Sequence, residues 1–379
     1  MNDVANTCAR KEIVHVAWTQ RLSTGLIGLL AIGLTRYRAP CAQAVTAGLQ
    51  LCSDTLLPSL FPFFILSGLT VELGIAQRAG ILFSGVMQRV FRLPGSSASL
   101  FILGALGGYP TGARAVVQLY QAQQCHKEDA QRMLSLCNNC GPGFFLGIVG
   151  GVIFQNTLIG LILWLMHLLA SLITAWLFRS KVFASDAPMS PPTTCKLHQA
   201  LIKSVTGAVQ STLGICGFVL FFSVLICLFR ETKLLAVGAS LLHQVFPNAT
   251  FCEAISSGLM EVSCGITALA TCDVTPALKG AAAAFLLSFG GCSVFFQTMQ
   301  QTELTDLKIA PAIKQKLVQA IIAAGCSYCL LQTRVASVAV FFPNMPVAPF
   351  THIGISSGLY LLFCIVSLVN LRKSRYNKR

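Results

Sequence analysis

Two asparagines stand side by side in an apolar segment of the chain. Asn138 and Asn139 lie within residues 133–154, directly before Gly141 and Pro142. An amide side chain both donates and accepts hydrogen bonds, so an adjacent pair can recognise a polar solute. Hydrogen bonding between helices would account for the same pair without a ligand. Both interpretations stay open at this point.

Further polar side chains lie inside apolar segments in each half of the chain. They are Tyr109, Thr111 and Arg114 in the first half, and Glu261, Ser263, Ser288, Ser293 and Gln297 in the second. Glycine and proline accompany these polar residues and the asparagine pair at Gly108, Pro110, Gly112, Gly141, Pro142, Gly290 and Gly291, where we predict breaks in the helices. Backbone groups freed at such breaks can also bind a solute. We therefore predict a substrate-binding site among the polar residues.

Two ionisable residues of these segments, Arg114 and Glu261, could form an ion pair. Charges inside a membrane are costly and are usually paired, so one hypothesis places Arg114 beside Glu261 across the two halves. Alternatively, Arg114 reaches out to the membrane surface while Glu261 lies near a helix end. His167 lies within the apolar run 158–178, where we expect a packed residue and not a proton relay.

The composition indicates that lipid, and not water, surrounds much of the chain. Of its 379 residues, 54% are hydrophobic and only 11% are charged, whereas soluble proteins carry about 25% charged residues. The net charge of +14 comes from short basic clusters between apolar runs, a pattern that sets orientation in a membrane. We predict an all-α polytopic membrane protein in the lipid bilayer of the cell membrane, and we expect no nucleic acid partner.

The apolar runs predict roughly eight to ten membrane segments, some of them broken or re-entrant. Residues 22–35 are interpreted as an uncleaved first helix and residues 41–56 as an amphipathic interfacial segment. Pro58 and Pro62 lie in the apolar run 57–74 and predict a broken helix there. The dense basic tail predicts a cytoplasmic C-terminus.

The two halves of the chain can be aligned. Leu106, Gly112 and Leu134 recur with one offset as Leu259, Gly265 and Leu287. Paired interrupted segments at corresponding positions point to a transport site between repeats. The predicted division is an anchor helix at 1–39, a first repeat at 40–180, a basic linker at 181–204, a second repeat at 205–350, and a last helix with its tail at 351–379. Whether the repeats are inverted or parallel stays open.

Cysteine usage does not indicate a metal or redox site. Most of the 16 cysteines lie inside apolar segments, where a free cysteine behaves as a small hydrophobic residue. The two C-x-x-C spacings, Cys137 to Cys140 and Cys326 to Cys329, lack nearby histidine or acidic partners and a loop around a metal. No hydrolase or metalloprotease motif occurs in the sequence. We expect no enzyme activity, no cofactor and no metal.

Three segments resemble a known family. LPSLFPFFILSGL at 57–69, GALGGYPTGARA at 104–115 and SLCNNCGPGFFLGIVG at 135–150 are similar to the YlbJ-type sporulation integral membrane proteins. The resemblance covers roughly residues 40–370 and implies two repeats of the nucleoside-recognition, or Gate, domain that iron and nucleoside transporters also carry. In the second half Glu261 replaces Gly108, and Gly290-Gly291 replaces the asparagine pair, so any site is asymmetric. The phosphate-binding loop of a GTPase is absent from the sequence.

The leading hypothesis is a sporulation-associated membrane protein that transports or gates a small polar solute. A non-transporting scaffold that binds partners during spore envelope assembly is the alternative. A second copy of the chain and other sporulation membrane proteins are open as partners.

Overall fold

The computed structural model describes residues 21, 23–180 and 195–332. These residues are almost entirely helical, and no strand occurs among them, so the predicted all-α fold is confirmed. Four helices are long and apolar enough to cross a membrane, namely Arg38–Glu72, Thr157–Leu177, Leu197–Glu231 and Pro276–Thr302. The N-terminal residues 1–20, most of the predicted linker and the apolar runs after residue 332 lie outside the described residues.

The first half of the chain is a series of helices interrupted by three wider, π-helical segments. In order they are α1 (Ser23–Arg36), α2 (Arg38–Gln50), π1 (Leu51–Leu56), α3 (Leu57–Glu72), α4 (Ile75–Val86), π2 (Met87–Phe91), α5 (Ser97–Gly107), α6 (Thr111–Gln121), α7 (Lys127–Cys137), π3 (Gly143–Ile153) and α8 (Thr157–Leu177).

The second half repeats this order from α3 onward. Its helices are α9 (Leu197–Glu231), α10 (Leu234–His243), α11 (Ala249–Met260), α12 (Val262–Ala270), α13 (Pro276–Phe289), α14 (Gly291–Thr302) and α15 (Ile309–Gln332). The broken pair α5–α6 corresponds to α11–α12, and the pair α7–π3 corresponds to α13–α14. The domain boundaries given above stay a prediction.

The segment around Pro58 and Pro62 is not broken, which corrects the sequence prediction. α2, π1 and α3 join into a helix of 35 residues, Arg38–Glu72, so residues 41–56 belong to a spanning helix and do not form a separate interfacial one. Pro58 almost directly follows the wide π-helical segment π1, which loosens the regular bonding pattern of the continuous helix. Pro62 lies inside α3, six residues after the end of π1.

The longest helices of the two halves pack antiparallel. Gly68 of the helix Arg38–Glu72 lies on Ser204 of α9, whereas Gly48 lies on Ser223. The ion pair between Glu72 and Lys203 (3.1 Å) joins the end of one helix to the start of the other. The two helices therefore run in opposite directions, as corresponding helices of inverted repeats do in many transporter folds.

The broken helices of the first half cross at glycine contacts too close for any side chain. A methyl group on Gly104 would overlap the carbonyl oxygen of Cys137, and one on Gly112 would overlap the same atom. The contacted oxygen belongs to the backbone of Cys137, which cannot rotate away as a side chain could. These glycines therefore set the distance between the α5–α6 and α7–π3 pairs.

We expect Gly104→Ala to lower the free energy of unfolding by about 1–3 kcal/mol, because the added methyl must push two backbones apart. Thermal unfolding of the purified protein in detergent measures the change. Gly325→Ala is the matched control, because nothing lies within 4 Å of its added methyl and alanine favours the helix. Equal melting temperatures for the two variants would contradict the crossing geometry.

Candidate functional site

Four interruptions of the helices occur among the described residues, and three of them lie at the glycine and proline positions named above. They separate α5 from α6 at Gly108–Pro110, α7 from π3 at Asn138–Pro142, α11 from α12 at Glu261, and α13 from α14 at Gly290. Gly108, Gly290 and Gly291 have φ angles of 70°, 89° and 70°, which only glycine adopts without strain. Pro110 and Pro142 immediately precede the helices that follow the first two breaks.

The four interruptions adjoin one another. Gly108 lies against Gly141, so the first break touches the second. Gly291 lies on the carbonyl oxygen of Gly258, so the fourth break touches the third. Asn138 donates from Nδ2 to Oγ1 of Thr298 on α14 (3.0 Å) and thereby connects the two halves. The two pairs of breaks are therefore joined in the interior through Asn138 and Thr298.

The peptide groups of the second break are satisfied by α8. The backbone N–H of Cys140 donates to Nε2 of His167 (3.2 Å), and Nε1 of Trp164 donates to the carbonyl oxygen of Cys140 (3.3 Å). Ser171 donates to the carbonyl oxygen of Leu136 (3.2 Å). A free peptide group in the hydrocarbon layer costs several kcal/mol, so these side chains make the interruption stable.

His167 also joins the two halves, a role that the sequence prediction of a packed residue did not include. Its Nδ1 lies 2.7 Å from Oγ of Ser288 on α13. Because Nε2 accepts the N–H of Cys140, the ring proton must reside on Nδ1 and be donated to Ser288. A protonated imidazolium ring has no nitrogen left to accept the N–H of Cys140, so His167 is neutral in this arrangement.

Asn139 binds two residues that sequence reasoning missed. Lys316 donates from Nζ to Oδ1 of Asn139 (3.3 Å) and to Oε1 of Gln319 (2.9 Å). Gln319 donates from Nε2 to the same Oδ1 of Asn139 (3.1 Å). Asn139 in turn donates to the carbonyl oxygen of Leu136 (2.7 Å). We call Asn139, His167, Ser288, Lys316 and Gln319 the central cluster.

Lys316 has no acidic partner among the described residues within salt-bridge distance. Its side chain is buried on α15 and is held by neutral amide oxygens alone. A signal for it does exist in the sequence, because Lys316 and Gln319 share a helix face with the small residues Ala312, Ala320 and Ala323.

Arg114 and Glu261 do not form the hypothesised pair. Arg114 is exposed on α6 and donates from Nε to Oε1 of Gln301 (3.2 Å). Glu261 is buried between α11 and α12, where it accepts the N–H of Cys264 (2.7 Å) as the helix cap and a hydrogen bond from Ser293 (3.4 Å). The alternative, an outward arginine and a carboxylate at a helix end, is the arrangement observed.

Two buried amide oxygens of the predicted site have no hydrogen-bond partner in the protein, namely Oδ1 of Asn138 at the second break and Oε1 of Gln297 on α14. The hydroxyls of Tyr109 and Ser263 lie against Cys140 and Glu261, respectively. Buried polar atoms are nearly always bonded, so the two amide oxygens are groups that a ligand or water would satisfy. Thr111 donates to the carbonyl oxygen of Gly107 at the end of α5 (3.4 Å), across the first break.

The interior is closed in this structure. The cavity beside Tyr109, Gly108 and Gly141 has a volume of about 10 Å³, roughly the minimum that holds one water molecule. A solute therefore requires movement of the halves before it can reach the central cluster.

The arrangement of broken helices defines the class of protein. Residues 54–153, from π1 to π3, match the model of the Gate family, described as nucleoside recognition. The matched segment contains the first two interruptions.

A named relative extends this match over most of the chain. The protein is 29% identical over 309 residues to the sporulation integral membrane protein YlbJ of Bacillus subtilis (strain 168), which covers 74% of this chain and 75% of that protein. The resemblance to the YlbJ-type integral membrane proteins is confirmed. No solved structure matches the chain.

We expect His167→Ala to destabilise the protein, because it leaves the N–H of Cys140 without an acceptor in a dry interior. Each buried group left unpaired costs about 1–3 kcal/mol. Thermal unfolding in detergent measures the loss, with His198→Ala as control because His198 is exposed at the start of α9. If both variants melt alike, α8 does not stabilise the second break through His167.

Proposed function

We propose that this membrane protein transports a small polar solute through the interior between its two halves, in the context of spore formation. The observation that carries the proposal is the central cluster: a lysine, two amides, a histidine and a serine from both halves, buried where helices are interrupted. Intramembrane polar groups of this kind mark substrate pathways. The link to spore formation comes from the named relative alone.

The charged side chains of the interior indicate which class of solute would bind. Glu261 is balanced by the N-terminal end of α12 and by Ser293. Lys316 has only neutral partners, so the interior carries an uncompensated positive group when the amine is protonated. A bound solute with an acidic group would supply the missing charge. The proposal therefore favours a solute that combines a negative group with hydrogen-bonding atoms.

The unpartnered amide oxygens would orient such a solute. Oδ1 of Asn138 and Oε1 of Gln297 can only accept hydrogen bonds, so the solute would donate to both. Asn138 belongs to the first half and Gln297 to the second. A solute held by both would contact both halves and so could couple its binding to their movement.

The first test is a ligand screen by thermal stabilisation of the purified full chain. The panel contains small carboxylic acids, amino acids, nucleosides and neutral sugars. A ligand at 100 times its Kd stabilises by about 2.7 kcal/mol, which is a clear shift of the melting temperature. Hits are then tested for uptake into proteoliposomes.

We expect Lys316→Met to abolish stabilisation and uptake of the best acidic hit while leaving the ligand-free protein equally stable or more stable. Replacing an unbalanced buried charge by an apolar side chain of similar length removes its desolvation cost. Lys314→Met is the control, because Lys314 is exposed two residues away on the same helix.

If the same acid stabilises Lys316→Met with undiminished affinity, Lys316 does not bind the solute. Asn138→Ala and Asn139→Ala provide the second arm. Full uptake by both variants would contradict transport through the central cluster.

A further inference from the structure

A cluster of polar contacts fastens the second half to the first at one end of the molecule. Asp306, in the loop between α14 and α15, accepts hydrogen bonds from the hydroxyl of Tyr120 (2.8 Å) and from Nζ of Lys127 (2.6 Å). Gln131 on α7 bonds Lys308 twice: its amide oxygen accepts the backbone N–H (2.8 Å), and its amide nitrogen donates to the carbonyl oxygen. We call these five residues the latch.

The latch is polar, exposed to water and anchored by one apolar residue. The side chains of Lys127 and Asp306 are 43% and 59% exposed. The hydrogen bonds from Lys127 and Tyr120 lower the pKa of the Asp306 carboxyl, so the carboxylate is charged at neutral pH. Between Asp306 and Lys308, Leu307 is buried in the apolar cluster of the first half that also contains Met133.

The opposite end of the interface is sealed differently. There the ring of Phe154, from the first half, packs against Gly280 of α13 in the second half, and Leu331 of α15 lies on the same glycine. Phe154 packs against the large apolar cluster that also contains Leu269 and Cys272. Water cannot replace these contacts, whereas it readily replaces exposed polar ones.

The latch is linked mechanically to the central cluster through α15. This helix begins at Ile309, directly after the latch. Lys316 follows seven residues later, about 10 Å along the helix axis. Displacing the start of α15 therefore moves Lys316 and Gln319 away from Asn139.

From these contacts we infer that the latch is the gate of the solute pathway: the halves separate at the Asp306 end, and the Phe154–Leu331 end stays shut during that step. The inference rests on the proposed function, which supplies the solute that would pass through the gate. The test of the gate is independent of that proposal, because opening is measured without a solute. A native thiol supplies the measurement, since Cys140 is fully buried beside Asn139.

The experiment follows alkylation of Cys140 by N-ethylmaleimide, using mass spectrometry on the full chain in lipid nanodiscs. Lys127→Glu sets two negative groups against each other, and we expect it to raise the labelling rate about three- to ten-fold, the modest effect expected of an exposed ion pair. The double variant that combines Lys127→Glu with Asp306→Lys is expected to restore the slow labelling of Cys140. Cys41, buried on α2 outside the apolar cluster that contains Cys140, reports unfolding in the same sample and must stay slow.

A matched ion pair outside the latch serves as control. Arg230 and Glu253 are also exposed and 2.6 Å apart, but both belong to the second half. Arg230→Glu is expected to leave Cys140 labelling unchanged.

Two outcomes would overturn the inference. One is an unchanged Cys140 rate in Lys127→Glu. The other is faster Cys140 labelling in Phe154→Ala or Leu331→Ala without a rise in Lys127→Glu, because opening would then occur at the apolar end. Either outcome leaves the ligand screen and the uptake assay unaffected, so failure of the gate is distinguishable from failure of the transport proposal.

Discussion

The hydrocarbon layer offers no water to a bare peptide group, and the interior of this protein depends on that constraint. Each helix break exposes N–H and C=O groups that must find partners inside the protein. At the second break the side chains of His167 and Trp164 take the two groups of Cys140. At the third break the carboxylate of Glu261 caps the next helix. The polar residues are thus required for the fold before any solute is considered.

That requirement makes site and fold hard to separate in the sequence. The positions of the breaks could be predicted, because glycine and proline inside an apolar run usually interrupt its helix. The inward location of Asn138 and Glu261 followed from the same reasoning. Pro58 and Pro62 are the exceptions, because a proline near a helix start or behind a wide turn leaves the helix intact.

The partners across the interface could not be predicted. Lys316 is separated from Asn139 by 177 residues, and no local pattern specifies which helix an intramembrane lysine will face. His167 shows the same limit: its apolar surroundings correctly indicated burial, but its bonds to Cys140 and Ser288 depend on how two halves pack. The hypothesised Arg114–Glu261 pair was wrong for a related reason. Arg114 follows the break by a full turn of α6 and so reaches the exposed end.

The paired long helices carry a consequence for the surrounding lipid. Arg38–Glu72 and α9 each have 35 residues, about 52 Å at 1.5 Å per residue, whereas the hydrocarbon core is about 30 Å thick. Tilt alone would have to exceed about 50°, beyond the range of 0–40° seen for membrane helices. Both ends of this antiparallel pair must therefore extend into the headgroup layer. A helix pair of that length can hold its depth in bilayers of differing thickness while the shorter broken segments beside it move.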